Sequence, residues 1–297
     1  MRARAGLRVA LDGGGTARVT DLRSATPVLI RRTGGSGKVV EVHLVGGAGG
    51  PLAGDDLRLD IAVGAGAVLV VGSVAATVAL PGRGAGPSTF TVRAEVGAGG
   101  ELAFLPEPTI VARGARHRLI SRITLAAGAR LRYREEILLG RFGEPGGSLT
   151  TSLHVDVEAS VDAEVSVDAE PSADAEPSAD ADTSADADTS ADPTGAGSGN
   201  TGAGSGRRRA LLRQELRLGP EVPGVHGPAV LAGARAVGSV LLAGPLTGLD
   251  ALASSVGDGV ALMPLRGPGV LVSALANDGL TLRRRLDALA GALSFDH

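Results

Sequence analysis

The sequence predicts a mainly β protein, built as a layered or superhelical stack of β-hairpins with one or two C-terminal helices. Three observations carry this prediction. A short unit at residues 63–69 recurs at 96–102 and 125–131, at offsets of 33 and 29 residues, which is the range where internal repeats indicate stacked structural units. Apolar residues alternate with polar or small ones before each unit, as in half-buried strands. Each unit centres on a Gly/Ala turn, where glycine adopts positive φ without a Cβ clash.

Before the repeats, the N-terminal region predicts short strands separated by Gly/Ser-rich turns. These strands are expected at residues 7–11, 19–22, 28–30 and 39–45. The segment Gly34-Gly35-Ser36-Gly37-Lys38 resembles a phosphate-binding loop at first sight. That motif needs a glycine where Arg32 stands and a serine or threonine where Val39 stands. We therefore interpret the segment as a hairpin turn.

Within the repeats, the strands that lead into the turns show the alternation most clearly. The alternating positions are Leu57, Leu59, Ile61 and Val63; Phe90, Val92, Ala94 and Val96; and Leu119, Ser121, Ile123 and Leu125. The run Leu105-Pro106-Glu107-Pro108 is expected to end a strand, since proline cannot donate a hydrogen bond to a sheet. The cluster Glu135, Glu136, Arg141 and Glu144 is expected to be a solvated surface group.

After residue 209 the chain predicts further strands and the C-terminal helices. Strands are expected at residues 210–218, 222–242 (as short pieces), 260–264 and 269–275, and helices at 246–256 and 280–293. In the second helix, leucines at positions 282, 286, 289 and 293 recur at three- and four-residue steps, which predicts one apolar face.

A segment of biased composition divides the chain. Six consecutive acidic hexads run from Val155 to Ser190, and a Gly/Ser-rich stretch follows. Residues 155–192 contain thirteen acids and no base, and such segments lack the apolar content to fold alone. We therefore predict a single β-rich domain, residues 1–157 and 210–297, and a disordered acidic insertion at residues 158–209.

The insertion also conceals the charge of the rest of the chain. The formal net charge is −3, from 29 basic and 32 acidic residues. Without the thirteen acids of residues 155–192, 19 acids remain and the balance becomes +10. The insertion could fold back on a basic surface, screen it or loosely attract divalent cations, or it could be a neutral insertion without a role.

Composition and motifs exclude several classes of function. The chain has no cysteine, which excludes thiolate zinc sites and a cysteine nucleophile and fits a reducing compartment. It has no apolar run long enough for a membrane span and no secretory signal, so we expect a soluble cytoplasmic protein. Aromatic residues make up 2% of the chain, too few for base stacking on nucleic acid. The five histidines show no metal-ligand spacing, and no nucleophile motif is present.

Four motifs in a fixed order nevertheless resemble one known family. They are GGPLAGDDLRLDIAVGAGAVLVV, ELAFLPEPTIV, LRYREEILLGRFGE and the C-terminal GVLVSALANDGLTLRRRL. Each is weak alone, but their order and spacing resemble the urease accessory protein D family (UreD, also called UreH). The resemblance covers roughly residues 7–157 and 210–293.

The resemblance implies a mainly β, non-catalytic maturation factor for urease. Its partners would be the urease apoprotein, the helical accessory protein F and, through F, the nickel-carrying GTPase G. Nickel would pass in transit through an internal channel, and no permanently bound cofactor is expected. The matching motif positions are Asp55, Glu107, Arg141 and Glu144, which we expect to line the channel, contact partners or form structurally critical turns.

Two other functions stay open on the residues alone. A β-rich adaptor scaffold for another protein assembly would show the same composition and the same lack of catalytic motifs. An enzyme of unrecognised type is disfavoured, since neither a nucleophile–base pair nor a metal motif is readable.

Overall fold

The protein was analysed as a computed structural model, which describes residues 1–158 and 208–295. In these residues, eighteen strands form two sheets, and one α-helix follows them. The seven-stranded sheet contains β1 (Arg2–Leu11), β2 (Ala17–Arg23), β5 (Asp56–Val63), β8 (Ser88–Val96), β11 (Arg116–Leu125), β13 (Ser148–Glu158) and β14 (Arg208–Leu218). The eleven-stranded sheet contains β3 (Val28–Gly34), β4 (Val39–Gly46), β6 (Val68–Ser73), β7 (Thr77–Ala79), β9 (Glu101–Phe104), β10 (Thr109–Val111), β12 (Arg130–Leu139), β15 (Ala236–Ala243), β16 (Ser255–Gly257), β17 (Val260–Pro264) and β18 (Gly269–Ala276). The predicted mainly β, layered architecture is confirmed.

The three sequence repeats are the turns that carry the chain from one sheet to the other. Each turn is closed by a backbone hydrogen bond between residues three apart, such as Gly100 N to Gly97 O at 2.9 Å. Successive turns also stack, since Gly66 N donates to Ala98 O and Gly99 N donates to Ala127 O. One glycine of each turn has a positive φ, as the sequence predicts: 67° at Gly66, 61° at Gly99 and 67° at Gly128.

The strands on either side of each turn do not pair with each other, which refines the expectation of hairpins. β5, β8 and β11 pair in parallel within the seven-stranded sheet, and β6, β9 and β12 pair in parallel within the eleven-stranded sheet. Each repeat is therefore an arch that spans both layers. True antiparallel hairpins occur elsewhere, including β3–β4 around the Gly34–Lys38 turn, as predicted.

Alternate residues of the two sheets form the main core. Leu59 and Ile61 on β5 point inward, together with Leu69 on β6 and Leu131 on β12. Because the chain has only five aromatic residues, this core consists mostly of Val, Leu, Ile and Ala, and the stacked pair Phe104–Tyr133 is an exception.

The single helix, α1 (Gly279–Ala290), covers the other face of the larger sheet near its end. Asp278 caps it by accepting a hydrogen bond from Thr281 N at 2.8 Å. Leu282 and Leu286 are fully buried against β15 and β18. The helix predicted at residues 246–256 is wrong: this region holds only a 3-10 turn, Leu249–Ala251, and the short strand β16. In the described part of the chain, no helix is long and apolar enough to span a membrane.

The strands on either side of the acidic segment pair antiparallel at the edge of the seven-stranded sheet. β13 ends with Glu158 directly opposite Arg208, the first residue of β14. Glu158, Arg208 and Arg209 are thus strand residues, although the predicted insertion included them. The predicted disorder of residues 158–209 otherwise lies outside the described residues.

Because these two strand ends are neighbours, we expect the chain to fold without residues 159–207. Replacing them with an Asn-Gly turn creates an ordinary two-residue hairpin connection. The melting temperature of this deletion variant, measured by circular dichroism, is expected to stay within about 4 °C of the full chain, since no described contact is lost. A Gly/Ser replacement of equal length is the control for loop length. Loss of soluble protein, or a much larger fall in melting temperature in the deletion variant, would contradict this prediction.

Candidate functional site

The eleven-stranded sheet has an opening where the proline-rich run interrupts it. β9 pairs with β12 from Arg130 to Tyr133, and β10 resumes the pairing at Ile137. The prolines of residues 105–108 lie between β9 and β10, where they end the strand as the sequence predicts. Three residues of β12 therefore have no strand partner on this side: Arg134, Glu135 and Glu136. We call this opening the sheet window.

A cavity of about 400 Å³ lies at the sheet window. Its polar lining includes Glu107, His117, Tyr133, Glu135 and Glu136. These side chains come from both sheets, because His117 lies on β11 of the smaller sheet and the others on or beside β12. Two of its lining carboxylates, Glu107 and Glu136, also contact Arg283 of the C-terminal helix.

On the helix side, one arginine bridges two carboxylates of the window. Arg283 of α1 donates to Glu107 Oε1 at 3.0 Å and to both carboxylate oxygens of Glu136. The Glu136 side chain is fully buried and the Arg283 side chain is 29% exposed. Hydrogen bonding to Glu136 raises the pKa of Arg283 above its usual value, against the opposing effect of burial. Arg134 contributes a second guanidinium, which donates to the carbonyls of Leu105 and Pro106.

On the inner side, desolvation shifts the pKa values of the titratable groups toward their neutral forms. Burial raises the pKa of Glu135 to about 7, against hydrogen bonds from Thr151 and Tyr133 that lower it. The Tyr133 hydroxyl lies 3.3 Å from Glu135 Oε2 and 2.8 Å from Ser121 Oγ. Burial lowers the pKa of His117 to about 4, although its hydrogen bonding with Ser88 acts in the opposite direction. His117 is therefore a neutral imidazole at pH 7.

Glu135 also borders a second cavity, of about 360 Å³. This cavity lies between β12, β15 and β18 on one side and β13 and β14 on the other, and its lining includes Thr151, Gln214 and Ser239. A carboxyl group whose pKa is raised to about 7 therefore borders both cavities.

Of the four residues that the sequence singled out, Glu107 alone lines the window cavity. Asp55 is buried, and it accepts hydrogen bonds from the Met1 amino group at 2.6 Å and from Leu52 N at 2.9 Å. Burial raises the pKa of Asp55, but these two hydrogen bonds outweigh it and hold the pKa below its usual value. Asp55 thereby fixes the turn that follows the glycine-rich segment, whose residues 46 and 48–51 line the cavity.

Arg141 and Glu144 form a separate turn on the surface. Their side chains make a bidentate pair, at 2.7 Å between Nε and Oε1 and 3.0 Å between Nη2 and Oε2. Hydrogen bonding to Arg141 lowers the pKa of Glu144 to about 2. Their predicted contact with partners stays a prediction.

Sequence reasoning missed Glu135, Glu136, His117 and Arg283. The expectation that Glu135 and Glu136 belong to a solvated cluster is wrong, since Glu136 is buried and Glu135 borders two cavities. The adjacent proline-rich run was the available signal, because an interrupted neighbour strand leaves polar positions unpaired. Within the described residues, no group of three or more His, Cys, Asp or Glu side chains is arranged to hold a metal ion.

Comparison with known proteins identifies the family. The UreD urease accessory protein model matches residues 1–167 and 200–296. This chain belongs to that family. It is 66% identical to urease accessory protein UreD of Parafrankia sp. (strain EAN1pec) over 294 residues, covering 99% of this chain and 89% of the relative.

Other UreD relatives match over similar lengths. UreD of Frankia alni is 49% identical, covering 98% of this chain and 92% of the relative. UreD of Streptomyces avermitilis is 37% identical, covering 99% and 98%. The UreD family match therefore includes the β13 and β14 strands on both sides of the acidic segment.

Proposed function

We propose that this chain is a non-catalytic scaffold for nickel insertion into urease. The sheet window carries the proposal, because it places carboxyl and imidazole groups along a cavity inside a protein of the UreD family. The names of the relatives say only that they are urease accessory proteins. Nickel as the cargo is our inference from the residues of the window.

The side chains of the window suit a divalent ion that must not be retained. Ni²⁺ binds imidazole nitrogen and carboxylate oxygen, and His117 is neutral and thus able to act as a ligand. Arg283 forms ion pairs with the carboxylates of Glu107 and Glu136. Within the described residues, no three His, Cys, Asp or Glu side chains are grouped to hold a metal ion. Such an arrangement favours brief, partial coordination over permanent binding, and no resident cofactor is proposed.

The second cavity extends the proposed route of the ion. Because Glu135 borders both cavities, an ion in the window could pass to the space between β12 and β13 by way of this one carboxyl group. We propose that this route delivers nickel toward the urease apoprotein. Accessory protein F and, through it, the GTPase G would supply the ion. The cysteine-free composition fits the cytoplasm as the compartment.

The test is urease activity in cells that carry the urease operon but lack this gene, with and without added nickel. We expect activity and the nickel content of purified urease to be lost and to be restored by the intact gene. A copy with Glu135→Leu is expected to stay near the level of the deletion, because leucine removes a carboxyl group that borders both cavities.

The matched control is Glu215→Gln, which changes an exposed acid on β14 and is expected to restore full activity. Soluble expression of each variant must be equal for the comparison to count. Unchanged urease activity in the deletion strain would contradict the proposed function. Full activity with Glu135→Leu would contradict the route but not the scaffold.

A further inference from the structure

The surface turn that contains Phe142 carries a feature that the proposed nickel route does not use. Phe142 is fully exposed, with a relative exposure of 106%. The other four aromatic residues of the chain are buried or half-buried. Single exposed aliphatic residues are ordinary on protein surfaces, but here one of only five aromatic residues stands at the tip of a turn.

The turn is held rigidly beneath this side chain. Glu144 Oε1 accepts hydrogen bonds from the backbone amides of Arg141 and Arg113, in addition to its bidentate pair with Arg141. Arg235 Nη2 donates to the carbonyls of Leu139, Arg141 and Glu144, at 3.3, 3.1 and 2.6 Å.

The chain enters the turn at a position that requires glycine. Gly140 has a φ of 85°, and a Cβ atom at this position would lie 2.4 Å from Glu144 O. The hydrogen bonds from Arg235 and to Glu144 therefore hold the backbone beneath Phe142, so that little backbone freedom remains to be lost on binding.

The surroundings of Phe142 are positively charged. Two guanidinium groups contact the turn, since Arg141 lies within it and Arg235 binds its carbonyls, and a third arginine, the exposed Arg113, donates its amide to Glu144. Glu144 is the one carboxylate in these contacts, and its side chain is 14% exposed. A partner surface that faces this rim is favoured when it carries carboxylates.

We propose that Phe142 is an anchor that inserts into an apolar pocket, bordered by acidic side chains, on a protein partner. Aromatic and arginine side chains are the residues enriched at the centres of protein interfaces, and both are present here in a preformed arrangement. Pairing of two such turns is disfavoured because it would bring the two arginine rims together. The inference rests on the proposed function, which supplies the candidate partners.

The experiment measures binding of the full chain to purified urease apoprotein and to purified accessory protein F by biolayer interferometry. For one of them, Phe142→Ala is expected to weaken binding about thirtyfold or more, as for other buried aromatic anchors. The melting temperature should not change, because the Phe142 side chain is fully exposed and contributes no buried area to the fold. The matched control is Leu280→Ala, which shortens another exposed apolar residue and is expected to leave binding unchanged.

Direct contact can be observed because the chain contains no tryptophan. A Phe142→Trp variant labelled with 5-fluorotryptophan gives a single ¹⁹F resonance from position 142. Addition of the partner is expected to shift this resonance and to abolish its response to D₂O, since the ring enters an apolar pocket.

The outcomes separate the two proposals. Unchanged affinity of Phe142→Ala for both proteins, or a solvent-sensitive ¹⁹F signal in the complex, would overturn the anchor and leave the scaffold intact. Binding of neither protein by the wild-type chain would overturn both. Concentration-dependent self-association that Phe142→Ala abolishes would overturn the inference in favour of a second copy as the partner.

Discussion

Replacing Arg283 with methionine is expected to destabilise the protein by about 3 kcal/mol, because a fully buried carboxylate loses its hydrogen bonds to Arg283 and keeps the longer ion pair with Arg134 Nε, at 3.9 Å. Glu136 is wholly inaccessible to water, and Arg283 contacts both of its oxygens. Methionine retains most of the apolar stem, so the loss reports the charge rather than the packing. The free energy of unfolding, from urea titration at an unchanged m value, measures the effect.

The double variant Arg283→Met, Glu136→Leu should recover much of this loss. Buried ion pairs cost desolvation energy, and replacing both members with apolar groups is often neutral. The coupling between the two sites, read from a double-mutant cycle, is expected to exceed about 1 kcal/mol, as found for residues in one ionic network.

An exposed ion pair serves as the control for Arg283. Arg217 and Glu215 are 71% and 54% exposed, and Arg217→Met is expected to change stability by less than about 0.5 kcal/mol, since such pairs contribute little. If Arg283→Met cost no more than Arg217→Met, the account of the window as a buried ionic network would be wrong.

The general architecture could be predicted from the sequence because its signals are local. Alternation identifies a strand, and a glycine at positive φ identifies a turn, within windows of a few residues. The pairing of the strands is not local. A Gly/Ala turn closed between residues three apart is compatible with a hairpin and with an arch, so the local pattern does not reveal that β5 and β6 belong to different sheets.

The same distinction between local and distant contacts explains what was found of the site. Glu107 could be singled out because it stands within the Leu-Pro-x-Pro motif that resembles the UreD family. Arg283 and Glu136 are 147 residues apart in the chain, and nothing in the local pattern relates them. A glutamate pair in a strand followed by a charged turn has the appearance of a solvated group, and the burial of Glu136 depends on α1 arriving from the far end of the chain.

The pH dependence of stability offers a second large effect, in which two buried groups act in opposite directions. The unfolded chain protonates His117 near its ordinary pKa of 6.5, whereas the folded protein does so only near 4. The unfolded state holds more protons in this interval, so stability falls as pH falls from 6.5 to 4, by about 3 kcal/mol for a shift of this size. The full contribution of His117 is present above pH 6.5.

Glu135 has the opposite sign. Its pKa is raised from 4.5 to about 7 in the folded protein, so the folded state holds the extra proton between these values. Its contribution is fully present below pH 4.5 and is lost as pH rises through 7, which again amounts to about 3 kcal/mol. In the wild-type chain the two effects largely cancel between pH 4.5 and 6.5.

Single substitutions should therefore reveal pH dependences of stability that cancel in the wild-type protein. Relative to wild type, Glu135→Gln is expected to gain stability as pH rises from 4.5 to 7, because the neutral amide carries no desolvated charge. His117→Gln is expected to show the reverse, with relative stability improving as pH falls from 6.5 to 4. Urea titrations at half-unit pH intervals measure the free energy of unfolding of each variant. Subtracting the wild-type values removes the contribution of the carboxylates that all variants share.

The double variant His117→Gln, Glu135→Gln provides the decisive comparison. With both groups gone, its stability should run parallel to that of the wild-type chain between pH 4.5 and 6.5, where the two pH dependences cancel. The two profiles should diverge between pH 6.5 and 7, where Glu135 alone contributes, and between pH 4.5 and 4, where His117 alone contributes. Parallel profiles for wild type and His117→Gln would mean that water reaches the imidazole. The inner side of the sheet window would then be hydrated, and Glu135 would stand in an aqueous passage between the two cavities.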